Sequence, residues 1–259
     1  MRQSYGQSHR YLGVNFDTTQ YLEKVLTDRS SGVDMPAAVL LETIQGEGGI
    51  NLASFSWLCS LEQVCRQHDI LLIVDDIQVG CGRTGTFFSF EEAGISPDII
   101  TLSKSLSGFG LPLAMVLMKP ELDRWKPGQH NGTFRGNNLA FITAKAALEN
   151  YWQDDLFSDS LKPKSNFLRT RLEKIIYNNG GEELVSVRGR GMIQGIECKT
   201  GELASKILKK CFKNGMIIEA CGSQDEVIKC LAPLTISQEE LENGITILEE
   251  SIREVLGNT

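Results

Sequence analysis

Short apolar segments and amphipathic segments alternate along most of the chain. The segments 37–41, 70–74, 98–102 and 113–118 are typical of strands, and the stretch 54–68 between the first two has the period of a helix. A strand–helix–strand order predicts parallel neighbours, because a crossover helix is what joins parallel strands. We expect the run 70–74, five apolar residues in succession, to be buried on both faces of the sheet.

The pattern changes near residue 183 to that of a compact α+β unit. We therefore expect a partial large domain at 37–165 and a small C-terminal domain at 166–259, after a poorly patterned lead-in at 1–36. Helices are predicted at 18–27, 139–152 and 155–178. The elements predicted after them are a hairpin at 184–188 and 192–198, a helix at 202–212, strands at 216–219 and 227–231, and a last helix that Ser237 caps and that ends at 256.

Composition narrows the class of protein. The chain has 259 residues, of which 41% are hydrophobic and 23% charged, as in globular domains. A net charge of −7 argues against a nucleic-acid partner, and every apolar run is too short to span a membrane. Seven scattered cysteines without a C-x-x-C pair, and three scattered histidines, indicate neither a metal site nor a disulfide framework. We expect a reduced, cytoplasmic protein without a membrane partner.

Charged side chains follow two neighbouring strands of the predicted sheet. Asp75 comes directly after the run 70–74, and Lys104 follows the strand 98–102. The carboxyl ends of parallel strands open on one crevice, where ligands bind. A fixed carboxylate and an amine suit pyridoxal phosphate, whose ring nitrogen must be held protonated and whose aldehyde reacts with a lysine. The alternative is that Asp75 caps the next turn and Lys104 is an ordinary surface lysine, and the spacing alone leaves both open.

A glycine-rich turn, QGEGG at 45–49, follows the first predicted strand. Such turns can bind phosphate, but Glu47 in the middle of this one would repel it. The segment is interpreted as a substrate-facing loop, with a plain turn as the alternative.

Five motifs are spread along the chain from residue 37 onward: LLETIQGEGGI at 40–50, IVDDIQVGCGRTG at 73–85, PDIITLSKSLSG at 97–108, GTFRGNN at 132–138 and RGRGMIQGIE at 188–197. Together they make the chain resemble the class III (ω-type) aminotransferases of pyridoxal phosphate fold type I. The resemblance implies the C-terminal part of that α/β fold: a partial, mostly parallel sheet and a small α+β domain. It also implies that the N-terminal part of the family, with its phosphate-binding loop, is absent.

The resemblance implies a role for each matching residue of the cofactor site. Lys104 would bind the cofactor aldehyde covalently and then move the proton between substrate and cofactor. Asp75 would pair with the ring nitrogen, Gln78 would hydrogen-bond the phenolic oxygen, and Ile77 would pack on the ring. Thr133 would reach the cofactor phosphate of a neighbouring subunit, so the resemblance implies a homo-oligomer with shared sites.

Two further residues are implied to bind substrate. Glu47 matches a carboxylate that lets the site alternate between the amine donor and 2-oxoglutarate. In ornithine- and GABA-type relatives this carboxylate pairs with an arginine of the small domain, whereas the matching residue here is Lys229. A lysine cannot offer a carboxylate the two-pronged contact that arginine gives.

Three segments, VDMPAAVLLETIQGEGGINLAS at 33–54, GTFRGNNLAF at 132–141 and KCLAPLTIS at 229–237, are most similar to those of the family members that act on diaminobutyrate. The activity implied is transamination between L-2,4-diaminobutyrate or aspartate 4-semialdehyde and glutamate or 2-oxoglutarate, as in ectoine synthesis. One alternative is another ω-aminotransferase, of the ornithine, acetylornithine or GABA type or the siderophore diaminobutyrate type. Another is an inactive fragment that serves only as an association partner.

Overall fold

The computed structural model describes residues 17–257, so part of the predicted lead-in, residues 1–16, lies outside the described residues. The chain divides into two compact units. The first consists of the chain up to Thr43, then Ala53–Cys81 and Phe88–Asp154. The second consists of Ile44–Leu52, Gly82–Phe87 and the chain from Asp155 onward.

The helices and strands are close to those predicted from the sequence. The helices are α1 (Thr18–Thr27), α2 (Phe55–Gln67), α3 (Asn138–Tyr151), α4 (Leu156–Ile175, continued by a π-helical turn to Gly180), α5 (Gly201–Lys213) and α6 (Gln238–Leu256). The strands are β1 (Ala38–Leu41), β2 (Ile44–Gln45), β3 (Asn51–Leu52), β4 (Leu71–Asp75), β5 (Ile99–Leu102), β6 (Met115–Met118), β7 (Leu184–Arg190), β8 (Ile193–Cys198), β9 (Glu219–Cys221) and β10 (Val227–Cys230).

The first unit is built on a four-stranded sheet in the order β1-β4-β5-β6. The strands β1, β4 and β5 are parallel, and β6 runs antiparallel to β5. The helix α2 connects β1 to β4, as the strand–helix–strand pattern predicts, and Ser54 caps it by accepting a hydrogen bond from the Trp57 backbone N–H at 3.2 Å. The expectation of a mostly parallel α/β sheet is confirmed.

The expectation that the strand at 70–74 is buried on both faces is wrong. Burial alternates along β4: Leu72 and Val74 are fully buried in the core beneath α2, whereas Leu71 and Ile73 are half-buried. On β1, Leu40 is the register partner of Ile73 and is 63% exposed. Within residues 17–257 the sheet is therefore packed against a helix on one face and partly open on the other.

Asp98, just before β5, joins three elements of the first unit. Its carboxylate accepts hydrogen bonds from the Leu72 backbone N–H (2.8 Å), the Arg66 guanidinium (2.6 Å) and the Lys119 ammonium (2.7 Å). Burial by itself raises the pKa of Asp98, but these three donors outweigh it, so the pKa lies below its ordinary value of 3.8. The ionised carboxylate thus stabilises the packing of α2 and β6 against β4 and β5.

Replacing Asp98 by asparagine is expected to lower the free energy of unfolding at pH 7 by about 2–3 kcal/mol, because it removes the shared anion of two partly exposed cations. A depressed carboxylate pKa stabilises the fold above 3.8 and loses that effect as the pH falls through the folded-state value. Urea unfolding should therefore show that the free energies of unfolding of the unmodified protein and of Asp98→Asn differ less at acid pH than at pH 7. Asp123→Asn, at an exposed position, is the control. An equal difference at pH 7 and pH 3 would contradict the charge argument.

The second unit contains an antiparallel sheet in the order β7-β8-β10-β9. The helices α4, α5 and α6 pack on one face through residues such as Leu168, Ile207 and Ile245, against Ile228 of the sheet. On the other face lies the β2–β3 hairpin, because Gly49 approaches Val227 and Gly222 there. The predicted hairpin of β7 and β8 is confirmed.

Two boundaries in the second unit differ from the prediction. The strand predicted at 216–219 is instead β9, since the ladder to β10 starts at Glu219 and the Met216 backbone N–H is still bonded to Cys211 at the end of α5. The sequence also places the domain boundary at 165/166, whereas all of α4 lies in the second unit. The reason is that Leu161 and Leu172, on its apolar face, share a single core.

Candidate active site

The carboxyl ends of β4 and β5 lie side by side in the first unit. Asp75 is the last residue of β4, and its register partner on β5 is Thr101. Lys104 follows β5 after one intervening residue, and Ile77 and Gln78 continue the chain beyond Asp75. These predicted site residues therefore come from the ends of two adjacent parallel strands, which is where α/β sheets bind ligands.

The two neighbouring carboxylates, Asp75 and Asp76, have different surroundings. Asp76 is 1% exposed and accepts hydrogen bonds from the backbone N–H and the hydroxyl of Ser89. Ser89 Oγ lies 2.5 Å from Thr43 Oγ1, so Asp76 holds the loop after β4 to the end of β1. Asp75 is half-buried, and its Oδ1 accepts the Ile77 backbone N–H at 3.0 Å. Asp76 is therefore structural, and Asp75 is the carboxylate that a ligand can reach.

Lys104 begins a 3₁₀ turn that ends at Ser107, and its side chain is exposed. Its φ of 49° lies in the left-handed region, which residues other than glycine seldom occupy. The turn is fixed at both ends. Ser103 Oγ donates to the Leu113 carbonyl at 2.6 Å, and Gly108 has a φ of 74° where a Cβ would lie 2.7 Å from Ala147 Cβ. A strained backbone held in this way is typical of functional positions.

The residues at the two strand ends fit pyridoxal phosphate. Asp75 offers an anion for a ring nitrogen, and Lys104 offers an amine for an aldehyde. Thr101, beside Asp75, has a buried hydroxyl that lacks a hydrogen-bond partner within residues 17–257. Buried hydroxyls are nearly always paired, so this strand end retains an unfilled hydrogen-bonding group beside Asp75.

Thr133 lies apart from these residues in sequence, in an exposed turn that precedes α3. The adjoining side chain of Phe134 is fully exposed. The proposed contact of Thr133 with the cofactor of a neighbouring subunit stays a prediction.

In the second unit Lys229 forms a cluster with two carboxylates. Its ammonium lies 2.6 Å from Glu47 Oε1 and 3.0 Å from Glu219 Oε1, and its side chain is fully buried. Burial lowers the pKa of Lys229, but the hydrogen bonds that its ammonium donates to both glutamates outweigh that effect and raise it. Lys229 is therefore a cation at neutral pH. The structure brings together Glu47 and Lys229, the two positions that the family resemblance assigns to substrate binding, and adds Glu219.

Glu219 was missed because it lies at the end of the strand predicted at 216–219, whereas in the structure it is the first residue of β9. Glu219 and Lys229 are direct register partners in the antiparallel pair β9–β10, so their side chains share one face of the sheet. Opposite charges at paired positions of a short hairpin are the signal that could have found this contact.

The backbone around Glu47 is held firmly although its side chain is 69% exposed. The Gly222 backbone N–H donates to the Glu47 carbonyl at 2.9 Å. Arg188 donates to the Gly49 carbonyl (2.9 Å) and to Asn51 Oδ1 (3.0 Å), and its guanidinium also pairs with Glu197 at 2.5 Å. A fixed backbone with an exposed carboxylate lets the carboxylate rotate without moving the hairpin.

Two other features are absent from the part of the chain that is described. Among residues 17–257, His, Cys, Asp and Glu side chains nowhere come together in threes as a metal ion would need. None of the helices in that range combines the length and the apolar character needed to cross a membrane.

Comparison with known proteins gives consistent results. A family profile described as "Aminotransferase class-III" matches residues 8–252. The chain is 58% identical over 247 residues to a diaminobutyrate–2-oxoglutarate transaminase of Halomonas elongata, covering 94% of this chain and 58% of that protein. It is 57% identical over 249 residues to the Bordetella parapertussis protein of the same name, covering 95% and 57%. The chain thus spans less than two thirds of the length of these relatives.

Solved structures show the same similarity. An ornithine aminotransferase from Toxoplasma gondii, described with partial occupancy of PLP at its active site, superimposes with a TM-score of 0.80 at 29% identity. The match covers 93% of this chain and 56% of that one.

Proposed function

Since this chain belongs to the class III aminotransferases, we propose that it serves the transamination of L-2,4-diaminobutyrate and aspartate 4-semialdehyde with 2-oxoglutarate and glutamate. The observation that supports the reaction type is that Asp75 and Lys104 lie at the carboxyl ends of two adjacent strands. Relatives that are 57–58% identical and named for diaminobutyrate support the substrate. The proposed context is ectoine synthesis in the cytoplasm.

Pyridoxal phosphate, the cofactor of this family, supplies an aldehyde that captures an amine and a protonated ring that withdraws electrons from the reacting carbon. In the proposal, Lys104 would hold that aldehyde through its Nζ, and the same amine would move the proton of the substrate. The Asp75 carboxylate would keep the ring nitrogen protonated. Ile77 would lie against the ring, Gln78 would hydrogen-bond its phenolic oxygen, and Thr133 would serve the site of a second copy in a homo-oligomer.

Glu47 and Lys229 are proposed to act on the substrate side. The Glu47 carboxylate is exposed and can accept an ammonium group, whereas the Lys229 ammonium is buried behind it. Diaminobutyrate gives up its terminal amino group in the proposed reaction, so the cation that remains for a carboxylate to bind is its α-ammonium group.

Ornithine is the second candidate substrate, because the superimposed structure is an ornithine aminotransferase. The lower identity, 29% against 58%, favours diaminobutyrate. Ornithine has one more methylene than diaminobutyrate, which is the kind of difference that a pocket distinguishes by about 10- to 200-fold. A role as an association partner without activity is the remaining alternative.

The test begins with cofactor capture. The purified chain is mixed with pyridoxal phosphate, reduced with borohydride and digested, and the modified peptide is identified. We expect modification of Lys104, and glutamate formation at least about 10-fold faster from diaminobutyrate than from ornithine or GABA. Equal rates with ornithine would contradict the substrate assignment. A folded chain that captures no cofactor would favour the association role.

A further inference from the structure

We propose that Glu219 is a second counter-ion of Lys229 and thereby a positioning residue for Glu47. In this arrangement the Glu47 carboxylate can turn toward a cationic amino group of the substrate while Glu219 keeps the buried ammonium paired. The identity of that substrate rests on the proposed function, whereas the ion cluster itself does not.

The cluster places one ammonium, that of Lys229, against two carboxylates, Glu47 and Glu219. Arg188, whose charge also acts on Cys221 beside the cluster, pairs with Glu197. Burial raises the pKa of the Cys221 thiol to about 11, so it is neutral at pH 7. Lys229 therefore has two carboxylates as counter-ions, one more than its own charge requires.

The carboxylates of the cluster are exposed to solvent and its ammonium is buried. The side chains of Glu47 and Glu219 are 69% and 60% exposed, whereas that of Lys229 is fully buried. A molecule that approaches from solvent meets carboxylates and not the ammonium. The exposed side of the cluster therefore suits a cationic group of the ligand.

The two glutamates are held differently. Glu219 lies on β9, directly opposite Lys229 in the β9–β10 ladder, so its carboxylate stays beside the ammonium. Glu47 lies in the turn between β2 and β3. Glu47 is thus the carboxylate that can leave, and Glu219 the one that remains.

The energetic consequence follows from burial. A buried ammonium without a partner is strongly destabilising, whereas the loss of one exposed ion pair costs little. With Glu219 in place, the departure of Glu47 breaks only one exposed ion pair and costs little free energy. Without Glu219, the departure of Glu47 would leave the buried ammonium unpaired, so Glu47 would stay bound to Lys229.

Thermal unfolding of a double-mutant cycle tests this without any need for turnover. Glu47→Gln and Glu219→Gln are each expected to lower the Tm by roughly 3 °C or less, because one carboxylate still pairs with Lys229. The double variant is expected to lower it by about 8 °C or more, well beyond the sum. Lys229→Met is the matched background, in which the non-additivity should disappear. Additive losses, or non-additivity that persists with methionine at 229, would overturn the proposal.

Kinetics separate positioning from a purely structural role. In the enzyme with pyridoxal phosphate, Glu219→Gln is expected to raise the KM for diaminobutyrate by about fivefold or more, with kcat and the KM for 2-oxoglutarate changed by less than about twofold. Equal effects on both KM values would overturn the role in positioning Glu47. If another amine proves to be the substrate, the proposed function is wrong. The Tm measurements still test whether Glu219 is a second counter-ion of Lys229.

Discussion

Replacing Lys104 by alanine is expected to abolish the covalent capture of pyridoxal phosphate and to lower the transamination rate by roughly 10⁴-fold or more. The variant removes the amine that binds the aldehyde and also the base that carries the proton, so both steps fail together. The fold should be unaffected, because the side chain is exposed and alanine occupies the left-handed backbone no less readily than lysine.

Borohydride trapping with peptide mapping and a glutamate assay measure both effects. Lys126→Ala, in an exposed loop of the same unit, is the matched control and should behave as the unmodified protein does. Trapping that continues at full yield in Lys104→Ala would show that another lysine binds the cofactor, and retained turnover would refute the role of Lys104 altogether.

Replacing Asp75 by asparagine is expected to lower the rate by about 10²- to 10³-fold while leaving the stability nearly unchanged. The asparagine oxygen can still accept the Ile77 backbone N–H, so the turn after β4 is kept. What is lost is the negative charge that holds a proton on the cofactor ring. Asp75→Ala should cost as much activity and slightly more stability, since it also removes this hydrogen bond.

Asp76→Asn is the contrasting variant. Its carboxylate is buried and bonded to Ser89, so the substitution is expected to cost about 1–3 kcal/mol of stability and to affect the rate only through folding. Rate assays together with urea unfolding of the two variants distinguish the residues. A near-normal rate for Asp75→Asn would mean that Asp75 only caps the turn, which is the alternative left open by the sequence.

Local pattern was sufficient to predict most of the elements. The period of the segment 54–68 and the apolar runs on either side of it predict β1–α2–β4, and two glycines mark the hairpin of β7 and β8. The strand-end positions of Asp75 and Lys104 follow from the same reasoning, because the end of an apolar run is a local signal.

What the sequence did not predict depends on contacts between distant residues. Burial of β4 on one face depends on which element covers it, and an apolar run alone does not say. The carboxylate of Asp98 binds both Arg66 and Lys119, which lie in other elements of the fold. The residues next to Asp98 in the sequence therefore do not reveal its role. Lys229 and Glu47 are 182 positions apart, and only the family resemblance, not the spacing, suggested that they act together.

The partly open sheet of the first unit bears on how the chain behaves in solution. Leu40 and the β6 residues Val116 and Leu117 place branched aliphatic side chains in water. Such surfaces adhere to one another and to hydrophobic materials, with a strength that grows with protein concentration and with salts that are excluded from protein surfaces. Dilute samples at low salt are therefore the conditions in which this chain will stay monodisperse, and light scattering against concentration is the appropriate control for every measurement made on it.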